Sequence, residues 1–370
     1  MAHSATVETP DPLDTPPSLV NRALNGLVNG VLAIKPLATL AKNRARTLMM
    51  DRAETIGVYW RDEVKRLQTR DTDVAFAPTW AEALAAVQNP ELVYPDYYVT
   101  SFHAYEEGNL GWLPAMEVEV AAKAVHARIW PDAGAAGDAK LRQSYHDVLK
   151  AQLPESPIAI ADLGCGVGMS TETLQATFPA ARVTGVDLSP YFLAVAQYRT
   201  AQGRDFIGQE QQIQNSKFKI SPLETLREQN GDIRPATLTP THPATHSPSS
   251  PITWHHAAAE DTGLPASSFD LVSACLMFHE LPKAVAIAII HEARRLLRPG
   301  GHLAIMDMNP HSDTFAKMPP FVLTLLKSTE PYLDQYFAVD FDQVCQAAGF
   351  GPITVVQDSP RHRTILAAAL

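Results

Sequence analysis

The stretch Ile158 to Thr171, Ile-Ala-Ile-Ala-Asp-Leu-Gly-Cys-Gly-Val-Gly-Met-Ser-Thr, constrains the fold more than any other part of the chain. A short apolar run ends in Asp162, Gly164, Gly166 and Gly168 fill a tight turn, and a helical pattern begins at Met169. A Cβ in that turn would hold the backbone away from a ligand. Strand, turn and helix N-terminus together predict the nucleotide-binding corner of an open α/β sheet.

The chain beyond the corner alternates strand and helix patterns. Ile158 to Asp162, Arg182 to Asp187, Ile252 to His256, Phe269 to Met277 and His302 to Asp307 read as short apolar strands. Helices are expected over Met169 to Phe178, Pro190 to Ala201, and Pro282 to Leu297, the last stopped by Arg298-Pro-Gly-Gly301. Asn309 to Val339 reads as irregular or partly helical, Phe341 to Ala348 as a helix, and Ile353 to Val356 with Arg363 to Ala369 as a terminal hairpin. The expectation is a doubly wound, Rossmann-like seven-stranded sheet, mostly parallel with an antiparallel C-terminal hairpin, plus an N-terminal helical cap.

Residues 1–18, rich in proline and acids, read as a disordered tail, and 19–150 as the helical cap. Residues 151–370 form the sheet domain. Within it 203–251 reads as a disordered insertion, ending in a Pro/Ser/Thr tract whose His242 and His246 lack the companions of a metal site. In the cap, Leu19 to Trp60 is a helical pattern broken by Pro36 and punctuated by Lys35, Lys42, Arg44, Arg46 and Arg52. Such a basic helix either lies on an acidic membrane surface or packs on its own domain. Asp138 is expected to cap the helix that precedes the first strand. Ser101 to Trp112, dense in aromatic and polar groups with Gly108 and Gly111 as hinges, reads either as a lid over a binding site or as an anchor for the helical layer.

A net charge of -10 offers no general attraction to phosphate backbones, so a small molecule is expected as partner and nucleic acid is not. The three scattered cysteines show no metal spacing and fit a reducing compartment. With no signal pattern or long apolar run, a cytoplasmic location is expected.

Asp187 ends the strand that follows the glycine turn, where a carboxylate can accept hydrogen bonds from both ribose hydroxyls of a nucleotide. Asp162-Leu-Gly-Cys-Gly-Val-Gly168, Gly185-Val-Asp-Leu-Ser189, Ala259-Glu-Asp261 with Leu264-Pro265, and Leu296-Leu-Arg-Pro-Gly-Gly301 resemble the successive motifs of class I S-adenosylmethionine-dependent methyltransferases. The resemblance spans about residues 155–370 and is nearest to the small-molecule group that includes the ubiquinone/menaquinone-biosynthesis methyltransferases. The segments around His103 to Trp112 and Asp307-Met-Asn-Pro310 also resemble uncharacterised methyltransferases of photosynthetic organisms.

This resemblance implies S-adenosyl-L-methionine as methyl donor. Asp162, with Gly164, Cys165, Gly166 and Gly168, would hold its methionine end, Asp187 and Leu188 its ribose, and Glu260 and Asp261 its adenine. Met277, at the end of the fourth strand, joins this set. Many relatives carry Gly-Asp where this chain has Ala257-Ala258, which weakens the adenine assignment. Cys165 reads as a filler of the turn rather than a nucleophile.

At the acceptor, a hydroxyl needs a general base whereas an activated carbon or a thiol needs less. His279 and Glu280 follow the fourth strand at the ligand edge. His279 resembles the catalytic histidine of plant-type O-methyltransferases, although other relatives carry a histidine there without a catalytic role. His103 and Tyr105 are expected to complete the pocket for a small, hydrophobic acceptor. Two other readings stand beside this one: a non-catalytic binding protein of the same fold, and a nicotinamide-dependent oxidoreductase.

Overall fold

The computed structural model describes residues 35–70, 72–103, 105–130, 132–202 and 252–370. The expected tail, the insertion and the first part of the N-terminal helical pattern lie outside the described residues. Seven strands form one sheet in the order β3-β2-β1-β4-β5-β7-β6. They are β1 Ala159–Leu163, β2 Arg182–Asp187, β3 Thr253–His256, β4 Phe269–Cys275, β5 Leu297–Met308, β6 Thr354–Gln357 and β7 His362–Ala368. The first five run parallel, and β7 lies antiparallel between β5 and β6. The order reverses at β1, so a crevice opens beyond the C-terminal ends of β1, β2 and β4.

Successive side chains on a strand point to opposite faces, and the core divides accordingly. Ala161, Leu163, Val272, Ala274, Leu303 and Ile305 face one way, into a cluster with Ile289, Ile290 and Phe341. Ile160, Val183, Leu271, Ala304 and Met306 face the other, against Leu141, Tyr145 and Leu149. Trp254 of β3 packs so close to Gly168 and Gly185 that a Cβ at either would lie 2.5 Å and 2.7 Å from its ring.

The helices are α1 Lys35–Thr55, α2 Trp60–Thr69, α3 Thr79–Val87, α4 Trp112–His126, α5 Gly137–Gln152, α6 Met169–Thr177, α7 Pro190–Ala201, α8 Lys283–Leu296, α9 Asp313–Ala316, α10 Pro320–Thr329, α11 Leu333–Phe337 and α12 Phe341–Ala348. The N-terminal helices share a core with the sheet's own α7: Ala53, Trp60, Trp80 and Met116 pack with Phe192 and Val195. Met49 and Met50 of the basic α1 join this cluster, so that face of the helix is used inside the fold. Among the described residues no helix is long and apolar enough to cross a membrane.

The structure departs from the sequence reading in several places. Asp138 is no cap. It is buried in the first turn of α5, between His126 Nδ1 at 2.6 Å and Arg142 Nε at 2.9 Å, because a buried carboxylate is compensated by the Arg142 guanidinium and the His126 ring rather than by orphan amides. Arg298 to Gly301 belong to β5, which begins at Leu297 and is bulged there, with Gly300 at φ +78. The excursion after Asn309, by contrast, is partly helical as expected, with the short helices α9, α10 and α11.

Candidate active site

A cavity of about 510 Å³ lies across the C-terminal edge of the parallel strands. Leu188 beyond β2, Gly164 to Val167 beyond β1, Leu276, Met277 and His279 to Leu281 beyond β4, Met308 of β5 and Arg361 before β7 all contribute to its wall. The cap supplies Tyr97, Tyr98, His103, Tyr105 and Asn109.

At the donor corner the Asp187 carboxylate is held at both oxygens. Oδ2 accepts from the Gly166 N–H at 2.7 Å and Oδ1 from the Ser189 N–H at 2.8 Å. Burial pushes its carboxyl up to about 6, against the lowering effect of the Ser189 and Gly166 amides. The Ser189 side chain caps α7 through the Phe192 N–H, with Pro190 in the first turn, so helix and carboxylate are set by the same short segment. Ser189 Oγ also donates to the Asn109 carbonyl at 2.6 Å, which ties the cap to this corner.

Asp162 is fully buried behind the turn, with Oδ2 accepting from Ser170 and Thr171 hydroxyls, each at 2.7 Å. Burial raises its carboxyl above the usual range in spite of these two bonds. His256 fixes the covering loop: its Nδ1 accepts from the Asn89 N–H at 2.8 Å, leaving Nε2 to donate to the Leu188 carbonyl at 2.9 Å. Loop 89–98 is thereby pinned over β2 and β3.

A second group of charges lies beyond β4 and β5. His279 is the middle residue of a short 3₁₀ turn, Phe278–Glu280, and its Nδ1 lies 2.7 Å from Asp307 Oδ1 while its backbone N–H donates to Oδ2 at 3.1 Å. Burial opposes a charge on His279, but the attraction and hydrogen bond of Asp307 outweigh it and push the imidazole up to about 10. Burial raises Glu280 to about 7, with His103 and His279 pulling it down and Glu330 and Asp307 pushing it up. His103, at φ 47, reaches Glu330 Oε1 at 2.9 Å and Glu280 Oε1 at 3.7 Å. Tyr105 donates to Glu117 at 2.5 Å, and Glu117 also pairs with Arg46.

The sequence matches the methyltransferase-domain family over residues 137–354, more than half of its length. The chain belongs to this family. Trans-aconitate 2-methyltransferase of Escherichia coli is 52% identical over 50 residues, covering 13% of this chain and 20% of that protein. Malonyl-[acyl-carrier protein] O-methyltransferase of Bacillus cereus is 33% identical over 96 residues, covering 25% of this chain and 32% of that one. The chain thus spans a fifth to a third of the length of these curated relatives. Among solved structures, a SAM dependent methyltransferase from Aquifex aeolicus overlays with a TM-score of 0.37 at 14% identity, covering 62% of this chain and 92% of that one. Human N-acetylserotonin methyltransferase in complex with SAM overlays with a TM-score of 0.41 at 13% identity, covering 79% and 65%.

The methyltransferase domain brings most of the expected site residues to one cavity. Gly164, Cys165, Gly166, Asp187, Leu188, Met277, His279, Glu280, His103 and Tyr105 all line it. Asp162 lies behind the wall. Gly168 is the N-cap of α6 at φ +85 and is filled against Trp254. Glu260 accepts from the Tyr97 hydroxyl at 2.7 Å, Asp261 is exposed, and neither lines the cavity. The Ser101 to Trp112 segment divides between its two readings. His103 and Tyr105 face the cavity, whereas Trp112 packs on Trp80 and Tyr191 with ring centroids 5.1 Å and 5.0 Å apart. The site's Glu330 and Tyr98 had no motif to announce them; Asp307 had a signal, as an acid ending an apolar strand and opening Asp307-Met-Asn-Pro310.

The corner fits an adenosyl ligand on two observations. A Cβ built on Gly166, at φ +55, meets nothing within 4 Å, so the backbone there borders open cavity. Asp162 Oδ1 and Glu260 Oε2 are buried without a hydrogen-bond partner among the described residues. Neither lines the cavity, so the acceptor this corner presents to a ligand's hydroxyls is Asp187, which does.

Proposed function

We propose that this methyltransferase domain transfers a methyl group from S-adenosyl-L-methionine to a small, partly apolar acceptor whose reacting atom carries a proton. The observation that carries the reading is the pinned Asp187 carboxylate facing the cavity beside the open backbone of Gly166. Bound there, the donor would supply an electrophilic methyl group. Asp187 would take its ribose hydroxyls, the Gly164 to Gly166 backbone its amino-acid end, and Tyr98 and Leu188 would close over the nucleoside.

The acceptor side divides its work between two residues. His279, pushed up to about 10 with Asp307 beside it, is an imidazolium at neutral pH. It therefore serves as fixed positive charge rather than as base. Glu280, partly buried on the same turn and raised to about 7, is the group poised to take the acceptor's proton. His103 reaches it from the cap side at 3.7 Å and is itself held by Glu330 at 2.9 Å. Met308, Phe315, Met318 and Leu326 give the rest of the cavity an apolar lining that excludes water.

The test is transfer of labelled methyl from S-adenosylmethionine to extractable small molecules of a cell lysate. A labelled product with the wild type, lowered about tenfold or more by Glu280→Gln at unchanged adenosylhomocysteine affinity, supports this reading. Labelling that is absent, or unchanged in the variant, overturns the base assignment.

A further inference from the structure

The far end of the cavity carries charge that the methyl-transfer reading does not use. Arg361 lies just before β7, four strand spacings from Asp187 of β2, or about 19 Å. Its backbone is fixed on both sides: the carbonyl accepts from the Asn309 N–H at 2.7 Å, and the N–H donates to Ser359 Oγ at 3.2 Å. Arg361 lines the cavity together with His362 and Met308.

Neighbouring charges do not neutralise it. Asp138 is engaged by Arg142 and His126, and Asp358, in the same turn as Arg361, accepts from the Thr364 hydroxyl at 2.5 Å. No ion pair joins Arg361 to a carboxylate of the described residues. The influences on Arg361 are burial and then the like charge of Arg128, itself exposed and repelled by Arg52, and both lower its pKa. In a chain of net charge -10, this is a local excess of positive charge at one end of an apolar cavity. The acidic end compensates itself, since Glu280 and Glu330 share His103 while Asp307 holds His279.

A partly buried guanidinium without an anionic partner binds carboxylate or phosphate through paired N–H donors. We propose that Arg361 is the binding residue for an anionic group on the methyl acceptor, so that the acceptor is amphiphilic, with an apolar body along Met308, Phe315 and Met318 and a terminal carboxylate or phosphate. This rests on the methyl-transfer reading for what the cavity's other half holds. It assigns no further step to the reaction.

The test is calorimetric titration of the full-length protein, saturated with adenosylhomocysteine, using octanoate, octyl phosphate and octanol as probes. One of the two anions is expected to bind about tenfold or more tightly than octanol. Preference for octanoate assigns a carboxylate acceptor and preference for octyl phosphate a phosphate ester. Arg361→Gln is expected to abolish the preference, Arg361→Lys to keep part of it, and both to leave adenosylhomocysteine affinity as it is. Octanol binding as well as both anions, no binding of any probe, or an unchanged preference in Arg361→Gln overturns the assignment. So does loss of adenosylhomocysteine affinity in that variant, which would put Arg361 in the donor half. If the wild type binds no adenosylhomocysteine, the donor reading fails, and the same probes titrated without it still decide the role of Arg361.

Discussion

His279 Nδ1 lies 2.7 Å from Asp307 Oδ1, and the same carboxylate accepts the His279 backbone N–H, so one buried acid sets both the ring and the turn that carries it. The pair joins the segment after β4 to the end of β5. Its charge follows from this geometry: the imidazole is held near 10 although burial works against it. Nitrogen NMR of the histidine ring at pH 8 is expected to show both ring nitrogens protonated in the wild type. Asp307→Asn removes the main raising influence and is expected to leave the ring neutral at that pH. A neutral ring in the wild type would return the base role to His279.

The donor corner predicts its own pH dependence. Burial holds Asp187 at about 6 in the free protein. A ligand whose hydroxyls donate to the carboxylate favours its ionised form, so affinity is complete above that value and falls as pH drops through it. Adenosylhomocysteine is expected to bind about tenfold more weakly at pH 5 than at pH 7.5. Asp187→Asn is expected to bind weakly and equally at both.

Gly166 and Gly168 sit in one turn but answer to different constraints. A Cβ on Gly166 enters the cavity, whereas one on Gly168 meets the Trp254 ring at 2.5 Å. Both carry positive φ, which costs a non-glycine residue about 1–2 kcal/mol. Gly166→Ala is therefore expected to lose adenosylhomocysteine with a drop in Tm of a few degrees, and Gly168→Ala to show the larger drop. Thermal melts with and without ligand separate the two; equal destabilisation would contradict the open backbone at Gly166.

His146, buried with Nε2 lacking a partner among the described residues, is held at about 3 by burial first and then by Arg142 and Lys150, against an ordinary value of 6.5. The unfolded chain binds this proton below 6.5 and the folded chain does not. Stability from this group is thus whole above 6.5 and declines as pH falls, by about 1.4 kcal/mol per unit. Urea denaturation between pH 4 and 6 is expected to give a shallower pH slope for His146→Gln than for the wild type. Identical slopes would show that His146 titrates normally.

Much of this fold was legible because the signals were local. The period-two alternation of Leu303, Ala304, Ile305 and Met306, the glycine turn, and the acid ending β2 each depend on a few adjacent residues. What escaped depends on distant pairings. Asp138 reads locally as a cap, and only His126, 12 positions away, shows it to be a buried ion-pair centre. Gly168 reads as part of the ligand cradle, whereas Trp254, far along the chain, fills the space above it. His103 meets Glu330 across 227 positions, and Arg361 borders the cavity only because β7 returns antiparallel beside β5. No spacing rule covers such separations, which is why the donor corner was more readable than the acceptor end.

The most direct measurement is the calorimetric affinity of the full-length protein for S-adenosylhomocysteine, wild type against Asp187→Ala. The structure predicts one site per chain in the wild type and a loss of about tenfold or more in the variant, since a charge-assisted hydrogen bond contributes roughly 1.5–3 kcal/mol. No binding by the wild type, or equal affinity in the variant, would contradict the assignment of this corner to the methyl donor.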